Sequence, residues 1–175
     1  KERDEENLRK LSHPDIEELP EEWQEFLVQL DAAADVVNER EKAVEPLRSV
    51  LAIEARNPDI SRRRAGALRA LGAVGSKEVL PDLVKAAADS ESAVREASCD
   101  AIEALAVPEA APTARALLSD VDERVRAAAA RAVAASGGEG ASEALAPVFD
   151  DPDPSVVVAA VEGMIRLGAD AVPEL

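Results

Sequence analysis

Residues 119–137, SDVDERVRAAAARAVAASG, and residues 150–168, DDPDPSVVVAAVEGMIRLG, are one unit written twice, 31 residues apart. Each opens on an Asp-containing turn, turns apolar three residues after a second Asp, and closes on Gly. Aligning their starts, Asp122 and Asp153, against the upstream sequence finds two more, at Glu91 and Asn57, with spacings of 34, 31 and 31 residues. Three residues after each start stands Ile60, Val94, Val125 or Val156. Ten after it stands Ala67, Ala101, Ala132 or Gly163, and eleven after it Leu68, Ile102, Val133 or Met164. Position fourteen carries Leu71, Leu105, Ser136 or Leu167. Offsets of three, ten, eleven and fourteen lie on one face of an α-helix. Asn57, Asp122 and Asp153 suit an N-cap, and Pro58 and Pro154 the first helical turn. Gly72, Ala106, Gly137 and Gly168 mark the expected helix ends.

Shorter second helices are expected over 77–88, 109–118 and 140–149, with a fourth starting at Val172-Pro173-Glu174-Leu175. A two-helix unit of about 31 residues cannot cover its own apolar face, so the units must stack. The predicted fold is all-α: a right-handed α-solenoid of antiparallel helical hairpins. Its repeats are 57–90, 91–121, 122–152 and an incomplete 153–175. Upstream, Trp23, Leu27, Leu30, Ala34, Val37 and Val44 form one helical stripe, and Pro46 opens a shorter helix, Leu47 to Ala55. Residues 21–56 therefore read as a helical pair acting as a cap or degenerate repeat, with an acidic first turn at Glu21 and Glu22. Residues 1–20 read as a charged tail, including a Ser12-His13-Pro14-Asp15 turn.

Composition narrows the function. The 175-residue chain has one Trp, two Phe and no Tyr, so its core must rest on Ala, Val, Leu and Ile. Small side chains let helices approach closely while each buries little area. The formal charge is −16, spread evenly: 16 acids against 8 bases in residues 1–56, and 20 against 12 in residues 57–175. Nucleic-acid binding requires a cationic face, which neither part offers. An anionic membrane surface would repel the chain, and no run of about 18 apolar residues exists to span a bilayer. A single cysteine makes no internal disulfide and points to a soluble, reducing compartment.

The units at 119–137 and 150–168 closely resemble HEAT repeats, in particular the short subtype named for phycobilisome lyases. The resemblance rests on Asp89, Asp120 and Asp151 in the turns, on Val94-Arg95 and Val125-Arg126, and on the closing Leu-Gly. It covers 57–175 well and 21–56 weakly. It implies that Asp89, Arg95, Asp120, Arg126 and Asp151 are structural, forming a ladder between neighbouring repeats. Val157 departs from the pattern by replacing the Arg. Arg63 departs too, standing where the other units have Ala97, Ala128 and Ala159, so the first unit's register is open.

No catalytic, cofactor or metal site is expected. Nucleophilic catalysis needs a base beside the nucleophile, and the sole histidine, His13, sits in the charged tail. Cys99 aligns with Ala65, Ala130 and Val161 as a small core residue. The acids occupy helix starts and solvent-facing positions, where capping and solubility account for them. A protein-binding scaffold or adaptor inside a larger assembly is the expectation, with a phycobilin-lyase-like or chromophore-chaperone subunit as the alternative that the repeat subtype implies. Two regions are candidates for partner contact. One is the basic run containing Arg62 and Arg64, which suits an acidic partner unless, as the nearby acids favour, these arginines pair with acids of adjacent helices. The other is the last repeat, where Val157, Val158 and Met164 cluster with Val156 and Val161 and invite cover by further repeats or a partner.

Overall fold

The computed structural model describes residues 40–53 and 58–170. The chain divides into two units, 1–40 and 41–175. His13, the Trp23–Val37 stripe, the cap at Asn57 and the helix expected from Val172 lie outside the described residues.

Among the described residues there are eight α-helices and no strand: α1 (Val44–Leu51), α2 (Pro58–Val74), α3 (Leu80–Ala86), α4 (Ser92–Leu105), α5 (Ala111–Ala116), α6 (Glu123–Ser136), α7 (Ala141–Leu145) and α8 (Pro154–Asp170). Turns of 3₁₀ helix lengthen the short members: Lys77–Val79 leads into α3, Pro108–Ala110 and Leu117–Ser119 flank α5, and Ala146–Asp150 follows α7. These are the second helices of the repeats, close to where the sequence puts them. α1 differs from expectation. It starts at Val44, so that Pro46 lies within its first turn, where a missing N–H costs no hydrogen bond. It ends at Leu51, short of Ala55.

The first helices of the repeats, α2, α4, α6 and α8, stack side by side and make the most extensive contacts in the molecule. Their approach is close because the residues between them are small. A Cβ added to Gly72 would lie 2.6 Å from the Cα of Ala101 in the next helix, and one added to Gly163 would lie 2.9 Å from the Cβ of Ala134. The core is correspondingly built from Ala and aliphatics: Leu68, Leu71, Val94, Ile102, Val125, Val133 and Val156 are fully buried together with Ala97, Ala101, Ala128 and Ala132.

Two readings of the repeat are corrected. Gly72 does not end its helix, and Gly168 lies inside α8. The terminator of α2 is Gly75, with φ of +81°, and its counterparts are Ala106 at +49° and Gly137 at +61°, each 31 residues from the last. Left-handed φ after a helix releases the chain into the next turn and suits glycine. The helix ends Val74, Leu105 and Ser136 keep the same 31-residue step, whereas α2, with 17 residues, starts early. The 34-residue spacing read from the starts therefore reflects an extra turn at the front of α2, and the true register is 31 throughout. In that register Leu68, not Ala65, is the counterpart of Cys99.

One helix then supplies its own control. Gly66 has open space where a Cβ would stand, while Gly72 faces the Ala101 backbone. Gly66→Ala should stabilise the protein by about 0.5–1 kcal/mol through helix propensity. Gly72→Ala should destabilise it by about 1–3 kcal/mol through overpacking. Urea unfolding midpoints that move in the same direction would contradict this account of helix spacing.

Candidate partner-binding surface

The expected structural residues come together in pairs. Arg95 gives a bidentate bond to Asp120, Nε to Oδ2 at 2.7 Å and Nη2 to Oδ1 at 2.8 Å, and its Nη1 donates to the carbonyls of Asp89 and Ser90. Arg126 repeats this one unit on, with Nε 2.7 Å and Nη2 3.0 Å from Asp151 and Nη1 on the carbonyls of Asp120 and Val121. Each Arg thus ties its own first helix to the turn that begins the next repeat. The Asp carboxylates also accept backbone N–H bonds two residues on, from Glu91, Asp122 and Asp153. The Arg95 guanidinium, followed by the backbone N–H of Asp122, holds the Asp120 carboxyl below the usual carboxylate range despite partial burial. Arg126 does the same for Asp151.

Arg64 belongs to this series, 31 residues before Arg95. Its Nη2 donates to Asp89, so it faces inward, paired with an acid at the start of the next repeat as favoured from sequence, rather than being presented to a partner. The rung is thinner than the others. The extra turn of α2 takes up the backbone that would supply the two carbonyls, and Arg64 Nε is buried without a partner. Arg62 is exposed and pairs with Asp59. The ladder ends at Val157, which has no guanidinium to offer.

A second row of charge crosses the first helices. Arg69, Asp100, Arg131 and Glu162 follow one another at 31-residue steps with alternating sign. Arg69 Nε lies 2.8 Å and Arg131 Nη2 3.4 Å from the Asp100 carboxylate between them. Arg131 also reaches Glu103, as does Arg166. Sequence reading missed this row because its members change sign at every repeat, which hides the identity of position; a strict 31-residue alignment would have found it.

α8 shows what the array leaves open. Val156, Ala159, Ala160 and Gly163 are buried against α6, and Met164 packs partly onto the core. Val157 is half-buried. On the far side Val158, Val161 and Ile165 are 54%, 43% and 67% exposed. Spaced three and four apart, they form one stripe. Their register counterparts are Ala127, Ala130 and Ala134 on α6 and Ala65, Leu68 and Gly72 on α2, all buried, with Gly163 of α8 against Ala130 and Ala134 and Ala101 of α4 against Gly72. On α4 the middle member, Cys99, is fully buried. The stripe is therefore the face that each earlier helix offers to its successor. Ile165 was not picked out from sequence, since the equivalents Gly72, Glu103 and Ala134 give it no repeating chemistry.

Elsewhere the chemistry is muted. Burial pushes the Cys99 thiol up to about 12, which leaves no thiolate at neutral pH. No group of three or more His, Cys, Asp and Glu among the described residues could hold a metal ion. No described helix is long and apolar enough to cross a membrane.

The family model for HEAT repeats matches residues 30–103 and 80–166 of this chain. No curated protein matches it. Among solved structures it is similar to the complex of CpcE and CpcF of phycocyanin lyase from Nostoc sp. PCC7120, at 26% identity and a TM-score of 0.64, over 81% of this chain and 59% of that one. It is also similar in fold to an engineered protein, at 22% identity and a TM-score of 0.52, over 72% of this chain and 62% of that one. The chain thus spans about three fifths of the length of the structures it matches.

The rungs make two linked predictions. Arg126→Ala should cost about 1–2 kcal/mol, because it strands a partly buried carboxylate at the rim of solvent, and Arg64→Ala should cost less, because its rung has fewer bonds. The pH dependence follows from Asp120. A carboxyl whose folded pKa is lowered contributes stability above the ordinary value of about 3.9 and loses it as pH falls through the lower folded value. The stability gap between the wild type and Asp120→Asn should therefore be widest at neutral pH and close below about pH 4. Chemical denaturation across pH 2.5–7 checks both.

Proposed function

Because the chain belongs to the HEAT-repeat family, we propose that it is a non-catalytic protein-binding scaffold or adaptor, acting as a subunit or assembly factor of a larger protein complex. The observation that carries this reading is the stripe Val158, Val161 and Ile165, open on α8 where the equivalent faces of α2 and α6, and the middle position of that on α4, are buried. Exposed apolar positions in a row favour association. The acidic balance supports a protein partner over nucleic acid, since a net charge of −16 gives no counterion-releasing surface. The absence of a reactive thiolate at Cys99 supports a role without nucleophilic catalysis.

A second reading is favoured by one comparison. The Nostoc structure is a complex of two chains of a phycocyanin lyase, and on that likeness this chain would be a phycobilin-lyase-like or chromophore-chaperone subunit. The likeness is one of fold and repeat, and the chemistry of a lyase resides in particular residues rather than in the solenoid.

The two readings part in one pair of experiments. Affinity capture of the tagged chain from native lysate should return a protein at fixed stoichiometry that survives high salt and is lost with Val161→Glu. Incubation with a bilin and an acceptor protein should yield no covalent, visible-absorbing adduct. An adduct would replace the scaffold reading with the lyase one, and capture of nothing in either salt condition would remove the scaffold reading altogether.

A further inference from the structure

The stripe on α8 has a definite register and a definite charge beside it, and together they specify its occupant. At two of the three joints between first helices, the successor lays a small residue against the C-terminal member of the face. Ala101 sits over Gly72, and Gly163 sits over Ala130 and Ala134. Those covering residues, Ala101 and Gly163, occupy one register position, which Ala132 fills in α6. Beside this contact runs the alternating row, in which Asp100 of α4 lies between Arg69 of the helix before and Arg131 of the helix after. Glu162 stands at the end of that row with its side chain exposed. Arg131, at the same position on the helix before, already gives its bonds to Asp100 and Glu103, and Arg166, four residues on from Glu162, reaches Glu103.

We propose that Val158, Val161 and Ile165 are the docking face for one amphipathic helix of a partner protein, which presents an Ala or Gly to the Val161–Ile165 end of the stripe and a Lys or Arg to Glu162. The proposal rests on the scaffold reading and specifies the partner's recognition element. A second copy of this chain is a poor occupant. Antiparallel pairing of α8 about Val161 brings the two Glu162 carboxylates toward each other, between molecules each carrying −16. A continuation of the array is also poorly served. Every joint from one repeat to the next is tied by an Arg on the first helix, and at the last joint that position is Val157. A helix arriving from another molecule needs no such tie.

The molecule contains its own probe. α6 follows Asp100 in the array as the partner helix would follow Glu162, with Ala132 at the small position and Arg131 at the basic one. The experiment uses a fluorescent peptide copying Glu123–Ser136. An isolated helix this short is marginal in water, so it is bridged between positions 127 and 134, on the side turned away from the protein, and its helicity is verified by circular dichroism. Titrated against the whole chain, it should bind one to one. Val161→Glu should weaken binding by about tenfold or more, since it puts a charge into the contact. Glu162→Lys should weaken it by about threefold to tenfold, and the Arg131→Glu peptide should recover affinity for Glu162→Lys but not for the wild type. Both substitutions are at exposed positions, and unchanged circular dichroism of the chain confirms that it still folds. A helical peptide that fails to bind, or binds equally well to Val161→Glu, overturns the proposal. So does a concentration-dependent dimer in light scattering that Val161→Glu dissolves, which would give the face to a second copy. If Val161→Glu and Glu162→Lys leave lysate capture intact, the scaffold reading stands and this face is not its site.

Discussion

The first helices of successive repeats meet nearly backbone to backbone, and that distance constrains the rest of the molecule. With Gly72 against Ala101 and Gly163 against Ala134, no room exists for a β-carbon on either glycine. Helices so close gain dispersion contacts along their length, in place of the area that large side chains would bury. The constraint accounts for a core of alanine and short aliphatics with scarcely an aromatic residue. It also fixes the step between repeats, since helices touching at Cα level cannot slide without lifting over one another.

A fixed step lets charge be organised by position. Arg95 and Arg126 recur at the same height on their helices, so each finds its Asp 25 residues on with the same bidentate geometry. The alternating row of Arg69, Asp100, Arg131 and Glu162 depends on the same regularity. The pairs of the alternating row, partly exposed, contribute little one by one, whereas the rungs at Arg95 and Arg126 are bidentate and largely buried. What both rows supply is registry. A helix displaced by one turn would oppose like charges, or leave a carboxylate unpaired beside an apolar contact.

The helical repeat, the second helices and the Asp–Arg positions could be read from sequence because each recurs with its chemistry intact. What could not be read was where local signals and packing signals disagree. Asn57-Pro58 is a strong helix start, and aligning on it shifted the first unit by three residues. The packing register is carried instead by Arg64, Leu71 and Gly75, inconspicuous until their 31-residue partners are set beside them. Gly72 and Gly75 compete as helix ends, and only the close approach of Ala101 shows that the first is a contact and the second a stop. Of the expected partner contacts, Val158 is open, Val157 and Met164 are partly covered by the chain's own helices, and Arg64 is turned inward. The decisive positions, Val161, Glu162 and Ile165, have meaning only by comparison with what covers Ala130 and Leu68.

The thinning of the ladder toward both ends also sets an order of events in time. A stacked array is held by neighbour-to-neighbour terms, so it opens from wherever those terms are weakest. The full rungs at Arg95 and Arg126 lie in the middle, the single-bonded one at Arg64 lies toward one end, and Val157 contributes none at the other. Backbone amides of α4 and α6, each anchored by a full rung, are therefore expected to exchange with solvent more slowly than those of α2, whose rung has one bond. A ligand that binds the open face of α8 adds its affinity first to the stability of that repeat and reaches the others only through the joints between neighbours.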